Sequence, residues 1–218
     1  MDRLLFLRNS WRESASFASE SSDEGVFPGP GGYLMQLVYY PDPILLKTAR
    51  PLERIDGGLR EKTAEMFELM YCESGVGLAA PQVGWGVRLF IFNCLGEEDR
   101  SGERVFINPR ILGRGEDYLV EEEGCLSIPE VKGKVSRPDE ILAEFQDLSG
   151  EMRREELCDI ESRVFQHEFD HLNGVLFLRH LNTTEKLVAK KMLRELEKEY
   201  SERGETAGSG PPGRSGDS

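Results

Sequence analysis

The sequence contains little histidine and cysteine, no long hydrophobic run and fewer basic than acidic residues. Only 3 histidines and 4 cysteines occur in 218 residues, and no two cysteines form a CxxC pair. Since a clear secretory signal is also missing, we do not expect a disulfide framework. No run approaches the roughly 20 apolar residues that a membrane-spanning helix needs. The formal net charge of −13 disfavours direct DNA binding and attachment to anionic membranes.

The composition is compatible with a single soluble enzyme. With 39% hydrophobic residues over 218 positions, the chain can bury one substantial core. Its use of cysteine and the absence of a clear signal peptide predict a cytoplasmic location. Organellar targeting is disfavoured, because Asp2, Glu13 and Glu20 contradict the acid-poor composition of transit peptides.

The composition divides the chain into three parts. Residues 1–34 become rich in Ser, Glu and Gly after a short apolar start, and we predict a disordered N-terminal extension. Residues 35–200 have the patterning of a folded catalytic domain. Residues 201–218, rich in Gly, Pro and Ser, are predicted to form a flexible C-terminal tail.

Two of the three histidines fall in one pentapeptide, His167-Glu168-Phe169-Asp170-His171, an HExxH motif. On a helix, His167 and His171 lie one turn apart on the same face, so both imidazoles can bind one metal ion. Glu168 lies beside them, where it can act as general base in metal-assisted hydrolysis. The alternative is a chance pair of histidines on an acidic helix surface, and the scarcity of histidine argues against it.

The sequence around the motif predicts a short buried helix from Ile160 to Leu172. Ile160 and Val164 share the three-four spacing of the motif residues and are predicted to face inward with them. Asn173-Gly174 provides a stop, because glycine accepts the left-handed conformation that ends many helices. A metal site on this helix would give buried polar side chains their partners.

The pentapeptide lacks a third metal ligand. In the metzincin pattern HExxHxxGxxH, Gly174 would match, but Phe177 stands at the ligand position and cannot bind a metal. Other zincins take a glutamate from a downstream helix. Candidates of that kind are Glu195, Glu197 and Glu199. The alternating charges from Leu187 to Tyr200 are more typical of a solvated helix face.

Cys125 is the upstream candidate for the third ligand. It lies in the sequence EGCLSIP, at the end of an acidic run. A thiolate at Cys125 would complete a Cys/His/His set and leave a fourth tetrahedral position open. Spacing alone leaves this choice open, because Cys125 lies far upstream of His167. The other cysteines occur in apolar or amphipathic stretches and are predicted to be buried small hydrophobic residues: Cys72, Cys94 and Cys158.

The periodicity elsewhere predicts an α+β fold. We expect a helix from Asp56 to Cys72, with Leu59, Met66, Phe67 and Met70 facing inward. The predicted strands are Val87–Cys94, Val105–Asn108, Tyr118–Leu126, Val131–Val135 and Ile141–Gln146, followed by a paired segment that ends near Cys158. Asn182 and Glu185 have the spacing of a capping box at the start of a last helix. The absence of βαβ alternation predicts mostly antiparallel sheets packed around a central metal-binding helix, with a C-terminal helix.

Three motifs in a fixed order give the chain a specific resemblance. Residues 75–82 read GVGLAAPQ, residues 123–127 read EGCLS and residues 167–171 read HEFDH. Over residues 35–181 the sequence resembles the peptide deformylases, in which GxGLAAxQ, EGCLS and HExDH occur in this order. The resemblance implies a metal-dependent hydrolase that removes the N-formyl group from the N-terminal formylmethionine of newly made polypeptides and releases formate.

The resemblance also implies catalytic roles. The metal ligands would be Cys125, His167 and His171, with Glu168 as general base. The side-chain amide of Gln82 and the backbone N–H of Leu126 would stabilise the oxyanion of the reaction. Without the rest of the site, Gln82 is more simply explained as a hydrogen-bonded loop glutamine.

Substrate binding and support of the site fall to further residues. The substrate backbone is expected to pair with a strand near Val76 or Glu123, and Gly77 allows a close approach to the ligand. Val164 is expected to line the pocket for the methionine side chain. The supporting residues are Arg137, paired with Glu123, and Asp170, which could accept a hydrogen bond from a ligand histidine. A surface charge pair and a helix-surface carboxylate are the alternatives for Glu123–Arg137 and Asp170.

Thiolate ligation is compatible with zinc and with ferrous iron. The resemblance implies Fe²⁺, with Zn²⁺, Ni²⁺ or Co²⁺ as substitutes. The expected partners are N-formylmethionyl nascent peptides, and a transient contact of the last helix with the ribosome is left open. Two other functions remain to be compared with this one: a zinc endopeptidase and a catalytically silent metal-binding protein. Intact Glu168 and Gln82 argue against the silent protein.

Overall fold

The computed structural model describes residues 35–208, which contain three α-helices and seven β-strands. In chain order these are α1 (Gly57–Cys72), β1 (Gly77–Ala79), β2 (Leu89–Phe92), β3 (Arg104–Arg114), β4 (Tyr118–Cys125), β5 (Ile128–Pro138), β6 (Glu140–Gln146), β7 (Met152–Cys158), α2 (Asp159–Leu172) and α3 (Thr183–Gly208). The extension predicted for residues 1–34 lies outside the described residues. Because α3 continues to Gly208, it includes the first part of the segment 201–218 for which a tail was predicted.

The strands form two antiparallel sheets. Five strands pair in the order β1-β2-β3-β6-β7, while β4 and β5 form a separate hairpin. This confirms the α+β prediction. Two strands are longer than predicted, because β3 continues to Arg114 and β5 extends over Ile128–Pro138. In β5 the added residues alternate between buried and exposed positions, and in β3 they pair through register shifts near Gly113. Neither addition has the continuous apolar run that would mark a strand in the sequence.

Helix α2 lies at the centre of the fold, between the five-stranded sheet and the hairpin. Phe165 is fully buried and meets Phe90 and Phe106 edge-on, with ring centroids 5.0 and 5.2 Å apart. Gly174 follows the helix with φ +67°, as the stop signal predicts. The prediction that Ile160 faces inward is wrong, since 51% of this residue is exposed. Ile160 lies in the first turn, and the buried positions of α2 begin only at Ser162.

Three apolar clusters hold the helices in place. The first packs α2 against the five-stranded sheet, the second packs α1 against the same sheet, and the third packs the hairpin against α3. The four residues of α1 predicted to face inward, Leu59, Met66, Phe67 and Met70, are all buried. The capping box before α3 is also confirmed, since Glu185 N–H donates to Asn182 at 2.9 Å and Asn182 N–H donates to Glu185 at 3.3 Å.

The predicted burial of the cysteines is wrong at two positions. Cys72 and Cys158 are exposed, because they stand at the last positions of α1 and β7, where each element leaves the core. Cys94 is half-buried and packs against the aromatic cluster, and burial raises the pKa of its thiol to about 12. Across residues 35–208, none of the helices combines the length and the apolar character that crossing a membrane requires.

Candidate metal centre

Two elements bring the three predicted metal ligands together. Helix α2 presents His167 and His171, and the end of β4 presents Cys125, next to the tight turn that leads into β5. One ligand atom from each of these residues lies within 4.8 Å of the other two, and Cys125 Sγ is 3.3 Å from His171 Nε2. Ligands of one tetrahedral zinc or iron ion stand roughly 3.3 to 3.8 Å apart. The soft thiolate and the two imidazoles therefore suit such an ion in their chemistry, and the distance between Cys125 Sγ and His171 Nε2 matches its ligand spacing.

Glu123 fixes the orientation of the His167 ring. Its Oε2 atom is 3.0 Å from His167 Nδ1, which leaves Nε2 directed toward the other ligands. Burial by itself would lower the pKa of His167, but hydrogen bonds with Cys125 and Glu123 outweigh burial and raise the pKa to about 10. A metal ion that binds His167 must therefore displace a proton.

Glu123 is in turn held by Arg137. Arg137 Nε donates to Oε1 of Glu123 at 2.6 Å and Nη2 donates to Oε2 at 2.9 Å, and both side chains are buried. Burial would raise the pKa of Glu123, but hydrogen bonds from His167 and Arg137 hold it well below its usual range. The predicted supporting pair is present. The Glu123 carboxylate faces His167 and arginines, so only its backbone is left for the predicted contact with substrate.

Asp170 supports Arg137 and does not contact a ligand histidine. Its Oδ2 atom accepts hydrogen bonds from Arg137 Nη1 and His180 Nε2, each at 2.9 Å. The interpretation of Asp170 as the acceptor for a ligand imidazole is therefore wrong, and Glu123 has that position. Its partner Arg137 lies on β5, so the Asp170 carboxylate connects α2 to the hairpin.

Glu168 lies buried beside the ligands, with 4% of its surface exposed. Burial raises the pKa of this carboxyl to about 7, although the nearby His167 lowers it. Its Oε2 atom has no hydrogen-bond partner among the described residues. A carboxylate with a pKa near neutrality and a free acceptor atom is suited to take up and return a proton.

Gln82 also lies next to the metal ligands. It lies in a 3₁₀ turn, Ala80–Val83, that follows β1, and it is buried. The backbone N–H of Ala79 donates to Gln82 Oε1 at 2.8 Å, which fixes the amide so that Nε2 lies 3.4 Å from Cys125 Sγ. Nε2 also donates to Ser127 Oγ at 3.3 Å. A hydrogen-bond donor therefore stands next to the metal ligands.

Residues 34–187 match the family model described as polypeptide deformylase. The chain belongs to the polypeptide deformylase family. Curated relatives agree with this match. The chain is 40% identical over 169 residues to peptide deformylase 1B, chloroplastic, of Solanum lycopersicum, an alignment that covers 78% of this chain and 61% of that protein. It is 43% identical over 149 residues to the peptide deformylase of Afipia carboxidovorans, covering 68% and 87% of the two chains.

Solved deformylase structures have the same fold. A crystal structure of peptide deformylase from Plasmodium falciparum superimposes with a TM-score of 0.75 at 39% identity, covering 76% of this chain and 97% of that chain. An Arabidopsis thaliana peptide deformylase in complex with an inhibitor gives a TM-score of 0.75 at 37% identity, covering 83% and 98%. The chain spans about three fifths of the length of the first two plant relatives that it matches.

Two residues near the metal centre of this deformylase family member were not predicted from the sequence: Ser127 and Arg163. Ser127 is fully buried; its hydroxyl accepts from Gln82, and its carbonyl accepts from Tyr40 N–H at 2.9 Å. Arg163 is buried on α2 and donates to Glu123 at 2.8 Å. The available signal for Arg163 was its position one turn before His167 on a helix predicted to be buried, where an arginine needs partners. The role predicted for the Leu126 N–H stays a prediction.

Proposed function

We propose that the chain hydrolyses the formamide of an N-terminal formylmethionine and releases formate from newly made polypeptides. The observation that carries this proposal is the placement of Glu168 and Gln82 around the cluster of Cys125, His167 and His171. A proton acceptor and an amide donor beside a metal site suit the hydrolysis of a small carbonyl group.

The chemistry is divided between the ion and the chain. Cys125, His167 and His171 would hold a divalent ion, which supplies a Lewis acid and makes water more acidic when bound. Glu168 takes the proton from the attacking water and returns it to the leaving amine. Gln82 Nε2 donates to the oxyanion that develops on the formyl carbonyl, and the Leu126 N–H is proposed as a second donor.

The substrate backbone is proposed to pair with the free edge of β1. Among residues 35–208, this strand is the first of its sheet and pairs only with β2. Asn93 N–H donates to the Val76 carbonyl, so the alternation of an antiparallel pair turns the N–H and C=O of Gly77 to the outer edge. Val76 is 49% exposed beside that edge, and Val164 lies behind Gly77. These residues support the predicted binding of an extended peptide with its methionine near Val164.

The proposed metal is Fe²⁺, with Zn²⁺, Ni²⁺ or Co²⁺ as substitutes. A Cys/His/His set accepts each of these ions, and the choice of iron comes from the family. Metal analysis of protein purified without oxygen tests it, with iron at one equivalent as the expected result. If the ion is iron, activity should decline faster in air than under nitrogen, while zinc should give a more durable and slower enzyme.

We propose that the enzyme acts in the cytoplasm on nascent peptides, although the relatives from tomato and rice are named chloroplastic. Attachment of a reporter to residues 1–34 would test this, and import into an organelle would overturn it.

A transient contact of α3 with the ribosome is supported by its exposed basic side chains, Lys186, Lys190, Lys191, Arg194 and Lys198. The test is cosedimentation of the protein with ribosomes. We expect it to be sensitive to salt and to be lost when these five residues are replaced by Gln.

The central experiment compares three peptides with the metal-loaded protein. Formyl-Met-Ala should release formate, while acetyl-Met-Ala and unblocked Met-Ala-containing peptides should remain intact. Cleavage of an internal peptide bond would favour the zinc endopeptidase instead. Stoichiometric metal without turnover of any peptide would favour a silent metal-binding protein.

A further inference from the structure

Arg163 is a buried cation with partners on every side of its guanidinium group. Nη1 donates to Glu123 Oε1 at 2.8 Å and to the Val135 carbonyl at 3.2 Å. Nη2 donates to the Leu119 carbonyl at 2.9 Å, and Nε forms an ion pair with Glu121 at 2.6 Å. Since each nitrogen is engaged, the planar group is fixed in one orientation.

Arg163 and Arg137 together hold the carboxylate of Glu123. Its Oε1 atom receives hydrogen bonds from Arg163 and Arg137, and its Oε2 atom receives one from Arg137 and contacts His167 Nδ1. Arg137 reaches the carboxylate from β5, while Arg163 reaches it from α2. With both arginines in place the carboxylate cannot rotate, and the imidazole of His167 keeps its direction.

Arg163 also joins the two elements that carry the metal ligands. Leu119 belongs to β4 and Val135 to β5, so Arg163 connects both strands of the hairpin to α2. Cys125 is carried by this hairpin, whereas His167 and His171 are carried by α2. Arg163 is therefore a direct polar link between the two elements that must stay in register for the three ligands to meet.

We propose that Arg163 is a positioning residue of the metal centre, acting on His167 through Glu123 and on Cys125 through the hairpin. Its hydrogen bonds and ion pairs go to Glu121, Glu123 and two hairpin carbonyls, and none of these partners is a proposed metal ligand. The inference rests on the proposed function only in that the Cys/His/His cluster binds a metal ion. Its effect should appear in the metal affinity and in the ligand geometry, before any step of the reaction.

The test uses Co²⁺-loaded protein, whose visible absorption reports the geometry of thiolate and imidazole ligands. We expect Arg163→Met to release Co²⁺ to a chelator roughly 10 to 100 times faster than the unaltered protein, the usual scale for losing a group that orients a ligand. Its absorption bands should shift. Arg163→Lys should recover part of the effect, because lysine restores the charge but cannot hold the carboxylate and both carbonyls at once.

Arg104→Met is the matched control. Arg104 also connects α2 to the sheet, through ion pairs with Glu161 and Glu155, but it does not reach a ligand or Glu123. Its loss should lower the unfolding temperature without changing the rate of Co²⁺ release or the spectrum. If Arg163→Met does not fold, Arg163→Gln gives the same test, since a neutral amide keeps donors for the carbonyls.

The inference is overturned if the folded Arg163→Met or Arg163→Gln protein releases Co²⁺ at the original rate with the original spectrum, whatever its unfolding temperature. This outcome is distinct from failure of the proposed function. A protein that binds Co²⁺ but leaves formyl-Met-Ala intact would remove the proposed reaction, and the release rates would still decide the role of Arg163.

Discussion

Gly77 and Glu168 face each other so closely that a Cβ atom on Gly77 would stand 2.5 Å from Oε1 of the Glu168 carboxylate. The same Cβ would lie 2.9 Å from Val164 Cγ1. A strand edge proposed to bind the substrate therefore passes directly over the proposed general base. The absence of a side chain at position 77 is what allows the two to approach.

Gly77→Ala should lower kcat for formyl-Met-Ala while metal content stays near one equivalent. The added methyl group forces the Glu168 carboxylate from its place, and a displacement of about 1 Å in a reacting group can cost on the order of a hundredfold in rate. Gly86→Ala is the control, because a Cβ at Gly86 meets nothing within 4 Å. A Gly77→Ala enzyme with unchanged kcat would show that the carboxylate position does not govern the reaction.

Glu168→Ala should retain the metal and lose the reaction. Removing a general acid–base group typically lowers a rate by roughly a hundredfold or more. The metal ligands do not include Glu168, so metal stoichiometry measured by elemental analysis should stay near normal. Full turnover by metal-loaded Glu168→Ala would exclude this residue as the base.

The rate should fall as the pH drops through about 7 or somewhat below. Burial raises the pKa of Glu168 to about 7, and the base works only when it is unprotonated. A bound cation lowers the pKa of a neighbouring carboxylate, so it moves the acid limb to lower pH and never to higher pH. The measurement is kcat/KM against pH, with metal content determined at each point. A limb well above pH 7 in fully loaded enzyme would contradict the assignment.

Cys125→Ala should lose the metal or bind it far more weakly. The three other single replacements, Cys72→Ala, Cys94→Ala and Cys158→Ala, should keep it, because these thiols lie outside the cluster. Cys125→Asp should be tolerated better than Cys125→Ala, since a carboxylate can still bind, although a hard oxygen changes the preferred metal. Stoichiometric metal and unchanged turnover in Cys125→Ala would place the third ligand elsewhere.

Features that depend on a local pattern within one helix or strand could be predicted from the sequence. The α2 helix, its stop at Gly174, the inward face of α1 and the capping box at Asn182 all follow from local periodicity or local hydrogen bonding. The same is true of the mostly antiparallel fold class, since no βαβ alternation occurs. Local pattern failed at Ile160 and Cys158, because residues near the end of an element keep its periodicity without its burial.

Contacts between distant elements could not be derived from spacing. Glu123, and not Asp170, meets His167, because the hairpin brings β4 against α2 while Asp170 points to Arg137 and His180. The sequence places Asp170 nearer along the chain, which favoured the wrong partner. The choice of Cys125 as ligand came from the family resemblance, and its Sγ does lie 3.3 Å from His171 Nε2.

Phe177 stands where metzincins have their third ligand. Its ring stacks on the ring of His167, with the two centroids 6.1 Å apart. The helix therefore supplies two of the three candidate ligands, and the third, Cys125, is supplied by the hairpin. An isolated α2 peptide should chelate weakly, because the thiolate joins it only in the folded chain. Ion binding and folding are thus thermodynamically linked, and the midpoint of thermal unfolding should rise with the logarithm of free metal concentration above the dissociation constant. Occupancy of the centre then serves as a measure of how much of the population has its hairpin and helix docked.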